Sequence, residues 1–173
     1  LSDGSRVAKY DLRVTTYGTV DEANAHIGLA RQDIDSKIDT MLSRIQNDLF
    51  DLGADLSRPM QPGSSGKELR IIQSQIDRLE IEIDEINESL NPLASFILPG
   101  GKLSASHLHV ARTVTRRAER LITKLIMEDD NLDKTNPLAA IYLNRLSDHL
   151  FVLSRKINDN GAEDVLWEPG KNR

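Results

Sequence analysis

SASHLHVARTVTRRAERLITKLIM, residues 104–127, decides the fold. Leu108, Ala111, Val114 and Ala118 recur at helical spacing along it, so one side of a long helix is apolar and must be buried. At 1.5 Å per residue such a helix is roughly 36 Å long. It needs partners of similar length.

The rest of the chain supplies them. Val20, Ala23, Ile27, Ala30 and Ile34 mark a first helix, and Ile38, Leu42, Ile45, Leu49, Leu52 and Leu56 a second. Leu69, Ile72, Ile76, Leu79, Ile83, Ile86 and Leu90 form a third stripe that Asn91-Pro92 stops. Pro137 can open a fifth helix, with Leu138, Tyr142, Leu146, Leu150, Leu153 and Ile157 on its buried side. Turn residues separate the stripes: Arg58-Pro59 with QPGSSG (61–66), FILPGG (96–101) and EDDNLDKTNP (128–137). The reading is an all-α, five-helix up-and-down bundle in one domain over residues 1–173. No internal repeat and no low-complexity segment is visible.

Composition bounds the function. The 173 residues suffice for one core, burying roughly 70% of the unfolded surface. Cysteine is absent, which excludes disulfides, thiol catalysis and cysteine metal sites. A net charge of −5 argues against a dedicated nucleic-acid binder. No apolar run approaches the roughly 20 residues of a membrane span, and no signal peptide is visible. LSDGSR (1–6) reads like the middle of a loop, so a segment is expected upstream of Leu1.

The fourth helix carries more charge than a buried element needs. Arg112, Arg116 and Arg120 stand at i, i+4 and i+8 on one face, bordered by Glu119, while Arg117 points elsewhere. The ordinary reading is a solvated face with weak ion pairs, each worth about 0.3–0.5 kcal/mol. Arginine rather than lysine, however, offers a planar fork suited to phosphates and carboxylates. The fifth helix bears a matching stripe of Asn144, Asp148 and Arg155 with Phe151 between them. Two such stripes suggest a site or a subunit interface, and an electropositive cleft of this kind suits a polyphosphate. In FILPGG, Phe96 and Leu98 are either core plugs or an exposed apolar wall whose glycines admit a large ligand. Asp21 and Glu22 lie early in the first helix, where the helix dipole favours carboxylates, and Asp21 could equally partner an arginine elsewhere. The histidines at 26, 107, 109 and 149 form no metal pattern, and Glu22 and His26 are four apart rather than the three of di-iron bundles. His107 falls on the apolar stripe and is expected to be a core histidine.

SRVAKYDLRV, YGTVDEANAHIG, FILPGG, HVARTVTRRAER and YLNRLSDHLFVLSR occur in this order and span about Ser2 to Trp167. Together they closely resemble the PduO-type ATP:cob(I)alamin adenosyltransferases. The resemblance implies a ferritin-like five-helix bundle and a homotrimer with active sites between adjacent subunits. It implies transfer of the 5′-deoxyadenosyl group of ATP to the cobalt of cob(I)alamin, with Mg²⁺ accompanying ATP and triphosphate leaving. By resemblance, Lys9, Arg116, Glu119 and Asn144 contact ATP, Arg116 on the polyphosphate. Arg112 matches an arginine paired with the aspartate at Asp21 of a neighbouring subunit; Asp148 and Arg120 match supports of the site. Phe96 and Phe151 match aromatics near the corrin that exclude the lower axial ligand of cob(II)alamin, which makes the cobalt easier to reduce. No protein metal ligand is assigned. The implied partners are an external flavin-type reductant and an adenosylcobalamin-dependent mutase, and the implied location is the bacterial cytoplasm. The family also carries a Thr/Gly-rich triphosphate-wrapping segment that would precede Leu1. The alternatives outside the enzyme class are a cobalamin carrier without catalysis and a helical module that binds an acidic protein.

Overall fold

In the computed structural model, residues 1–2, 4–61, 68–128 and 134–173 are described. Among them five helices form an all-α bundle: α1 (Leu12–Ala30), α2 (Ser36–Ser57), α3 (Gln73–Asn87), α4 (Leu103–Glu128) and α5 (Pro137–Ile157). Side chains fix where helices begin. Asp11 accepts a hydrogen bond from the Arg13 amide at 2.8 Å, and Asp35 accepts from Lys37 and Ile38. Asn136 caps α5 through the Leu138 amide, with Pro137 in the first turn, as the sequence predicts.

The boundaries differ from the expected stripes in two places. Helix α1 starts at Leu12, before Val20, and stops at Ala30, so Ile34 packs from a loop in which Asp33 adopts φ 61°. Helix α3 starts at Gln73, because the Gln75 side chain accepts the Ile72 amide at 3.0 Å and closes the first turn there; Leu69 and Ile72 lie outside it, exposed. Most of QPGSSG and part of EDDNLDKTNP lie outside the described residues.

Helix α1 packs on α2 and α4, α4 on α5, and α5 on α3. The core between them contains Ile27, Leu49, Leu52, Leu108, Ile122 and Leu146, all at most 1% exposed. A polar seam ties α2, α3 and α5 together within this core. Asp48 accepts from Gln75 at 2.8 Å, Arg78 at 3.0 Å and the Tyr142 hydroxyl at 3.1 Å. Glu82 accepts from Arg44 at 2.5 Å and lies 3.0 Å from His149. Burial pushes Glu82 towards its neutral form, but the hydrogen bonds and charges of His149 and Arg44 outweigh it and hold the carboxyl below its usual range. Among the described residues no helix is long and apolar enough to cross a membrane.

Candidate active site

Helix α4 buries Ala105, Leu108, Ala111, Ala118 and Ile122 completely. With that face committed to the core, Arg112, Arg116 and Arg120 are turned outward by helical geometry. Arg116 and Arg120 are exposed and Arg112 is half-buried. Arg120 turns back and donates to the Arg116 carbonyl at 3.1 Å. Arg117 leaves this ridge and pairs with Glu22 on α1.

Helix α5 meets the ridge from the side. Asn144 donates to Glu119 at 2.8 Å and accepts from Arg145 at 2.6 Å; Arg145 in turn bridges to Asp148 at 3.0 Å. The structure thus joins Glu119, Asn144 and Asp148 through Arg145, which the sequence reading passed over. Arg145 could have been noticed as a further arginine fork beside Asn144 in the NRLSD motif.

One turn earlier on α4, the ridge gives way to an apolar pocket of about 460 Å³. Leu93 to Ile97 form one wall, with His109, Arg112 and Phe151 opposite. Phe96 is 77% exposed and Leu98 is 50% exposed, so FILPGG makes a wall and does not plug the core. The Phe96 ring lies 6.1 Å from that of Trp167, because the tail after α5 returns alongside this loop: Ile97 bridges Leu166, and Trp167 donates to the Phe96 carbonyl at 2.7 Å. Gly101 serves a neighbour other than a ligand. It adopts φ 97°, and a Cβ there would fall 2.3 Å from Asn158, whose side chain holds the Lys102 amide at 3.0 Å and the Gly100 carbonyl at 3.1 Å.

Two corrections concern the residues around the pocket. His107 is only partly buried; His109 is the core histidine of this turn, 2% exposed. Its signal was its position three residues before Arg112, which puts both on one side of α4. Arg155 lines a groove with Asp148 and Phe151, but its guanidinium is already bonded within the chain. It is buried, bonds Asp164 at 2.8 Å and the Asn91 carbonyl at 2.9 Å, and so anchors the tail.

Charge and burial mark the pocket mouth. Burial, then the charge of Arg116, works against the Arg112 guanidinium, whose Nε has no partner among the described residues. Its carbon lies 5.9 Å from the centre of the Phe151 ring. Burial, then Arg112, holds the His109 imidazole below its ordinary pKa, with Asp164 opposing. Lys9 and Asp21 lie elsewhere: Lys9 is exposed before α1, and Asp21 lines a groove between α1 and α2 beside Phe50, which is 70% exposed. Among the described residues no three His, Asp or Glu side chains gather to hold a cation.

A family model described as cobalamin adenosyltransferase matches residues 1–157. The corrinoid adenosyltransferase of Mycobacterium tuberculosis (strain ATCC 25618 / H37Rv) is 53% identical over 175 residues, covering 100% of this chain and 89% of that relative. The corrinoid adenosyltransferase of Bacillus subtilis (strain 168) is 39% identical over 171 residues, covering 95% of this chain and 84% of that relative. Among solved structures, a phenylalanine-to-alanine variant of the PduO-type ATP:corrinoid adenosyltransferase from Lactobacillus reuteri, complexed with cobalamin and ATP, superimposes with TM-score 0.84 at 37% identity over 96% of this chain and 92% of that one. An arginine-to-lysine variant of the same enzyme, complexed with ATP, gives TM-score 0.81 at 37% identity over 95% and 92%.

Proposed function

The chain belongs to the cobalamin adenosyltransferase family, and on that premise we propose that it moves the 5′-deoxyadenosyl group of ATP onto the cobalt of cob(I)alamin. One observation carries the reading at this site: a ridge of arginines and an apolar pocket walled by aromatic rings meet at Arg112 and Phe151. A triphosphate suits the first and a corrin the second.

In this reaction cobalt(I) is the nucleophile, so the protein need not provide one. The electron pair of cobalt(I) forms the bond to C5′, the C5′–O bond breaks, and its pair departs with triphosphate. The protein's work is to hold carbon in line with cobalt and to stabilise the leaving charge. Arg116 takes the polyphosphate, where its exposure leaves the guanidinium free to do so. Glu119 and Asn144, already bonded to each other, contact the nucleotide, with Lys9 reaching it from before α1. Asp148 and Arg120 brace the ridge through Arg145 and the Arg116 carbonyl. Phe96 and Phe151 face the corrin and exclude its lower ligand, so that an external flavin-type reductant can deliver the electron.

The assembly is a homotrimer in which Arg112 pairs with Asp21 of a neighbouring protomer. Support comes from the partnerless Nε of Arg112 and from the exposure of both Asp21 and Phe50 on another face. The protein works in the cytoplasm as a single domain and hands its product to an adenosylcobalamin-dependent mutase.

The test is an absorbance assay with reduced cobalamin and Mg-ATP. Formation of adenosylcobalamin that depends on ATP supports the reading. Cobalamin binding without conversion would make the protein a carrier, and binding of an acidic protein with neither ligand would make it an interaction module. Light scattering of the eluted protein should give three times the chain mass, and a monomer would remove the shared site.

A further inference from the structure

The pocket beside the arginine ridge contains a group that neither the adenosyl transfer nor the packing of α4 uses. His109 is 2% exposed, yet neither Nδ1 nor Nε2 has a hydrogen-bond partner among the described residues. A buried polar side chain left this way costs stability, so it usually marks a role. The other buried histidine of the bundle shows the contrast: His149 has Glu82 at 3.0 Å. His109 lines the pocket directly, with its ring edge-on to Phe151 at 6.5 Å and Arg112 one turn further along the same side. Of the other polar side chains lining it, the Ser95 hydroxyl already donates to the Trp167 carbonyl at 2.9 Å, and Arg112 can only donate.

These observations constrain the occupant. It must be largely apolar to suit Phe96, Phe151 and Leu93, and it must also bring a polar group to the buried imidazole. A corrin has this character: an apolar macrocycle edged with primary amide arms. We infer that His109 is a positioning residue for the corrin, hydrogen-bonding one of these amides and so fixing the rotation of the ring beneath the deoxyadenosyl carbon.

The match is chemical as well as spatial. An uncharged imidazole has one donor and one acceptor, and a primary amide supplies one of each. Burial and the neighbouring Arg112 keep the ring in that uncharged form, against the weaker pull of Asp164. A second cation beside Arg112 would instead favour a carboxylate. The inference rests on the adenosyltransferase reading and adds to it a residue that orients one substrate and leaves the other alone.

The experiment compares His109→Leu with His109→Gln in steady-state assays that vary cobalamin and ATP separately. Loss of the amide partner is expected to raise KM for cobalamin about tenfold, with KM for ATP within about twofold of the wild type. Gln, uncharged with a donor and an acceptor, should restore most of the loss. A purely structural role would move both KM values together, or lower the melting temperature with KM unchanged. If Leu does not fold, the Gln variant and His109→Asn carry the test through the same split. Wild-type KM for cobalamin in His109→Leu, or equal damage to both substrates, overturns the assignment. Failure of the wild-type protein to form adenosylcobalamin would instead sink the reading beneath it.

Discussion

The guanidinium carbon of Arg112 stands 5.9 Å from the centre of the Phe151 ring. This contact joins the charged and the apolar halves of the site. The Nε of Arg112 has no partner among the described residues.

Arg116 should matter to the chemistry and little to the fold. It is exposed on α4, and its backbone carbonyl, which Arg120 uses, survives substitution. Arg116→Ala is expected to lower kcat by about 10²–10³, the usual effect of removing one preorganised donor to a developing charge. Its circular dichroism and melting temperature should match the wild type. Turnover within a factor of two would show that the triphosphate lies elsewhere.

Phe96 offers a cleaner separation. The ring is 77% exposed, so Phe96→Ala should change stability by less than about 0.5 kcal/mol. The variant should bind ATP normally and fail to give the absorption spectrum of four-coordinate cob(II)alamin. An unaltered cobalt(II) spectrum would mean that this wall does not touch the corrin.

Asp55 is the reverse case, a residue for the fold alone. It is 1% exposed and accepts from Arg70 at 2.6 Å, the Ile71 amide at 2.9 Å and Asn136 at 2.7 Å. Asp55→Ala breaks the ion pair with Arg70 and leaves the Ile71 amide without its acceptor, while Arg70 keeps the Asp55 and Arg58 carbonyls and Asn136 keeps the Ile71 carbonyl. The expected cost is about 3–5 kcal/mol, a fall in Tm on the order of 10 °C for a domain of this size. Activity per folded molecule should be retained at low temperature. A Tm within about 2 °C of the wild type would show that this buried network contributes little.

The depressed pKa of His109 gives a pH dependence of defined sign. Burial and Arg112 lower it in the folded state, with Asp164 opposing. An unfolded histidine takes up a proton near pH 6.5, so the unfolded chain binds more protons just below that point. Stability is therefore fully present above about pH 6.5 and is lost as pH falls through the lower folded value. Between pH 7.5 and 5.5 the wild type should lose more Tm than His109→Gln, since every other titrating group is common to both. Parallel losses would place the imidazole in water.

Much of this molecule was legible in its sequence because helices are local. The 3.6-residue period of Leu108, Ala111 and Ala118 fixed which side of α4 is buried, and Pro137 marked where α5 begins. The same period put Arg112, Arg116 and Arg120 together, and the ordered motifs of the chain carried the family. The choice between His107 and His109 was not legible in the same way. Positions two apart on a helix point about 160° away from each other, and which of the two meets the core depends on how α4 is rotated against α5. Nor could periodicity show that Asn158 passes against Gly101, that Arg155 reaches across to Asp164, or that Trp167 returns beside Phe96. Those pairs join residues from different elements or from a tail without a repeat. Sequence alone determined the elements, their buried faces and the chemistry along α4, since these follow from spacing within one segment. Only the tertiary structure decided which polar atoms are left without partners and where the pocket opens, because both depend on what other segments bring to the same place.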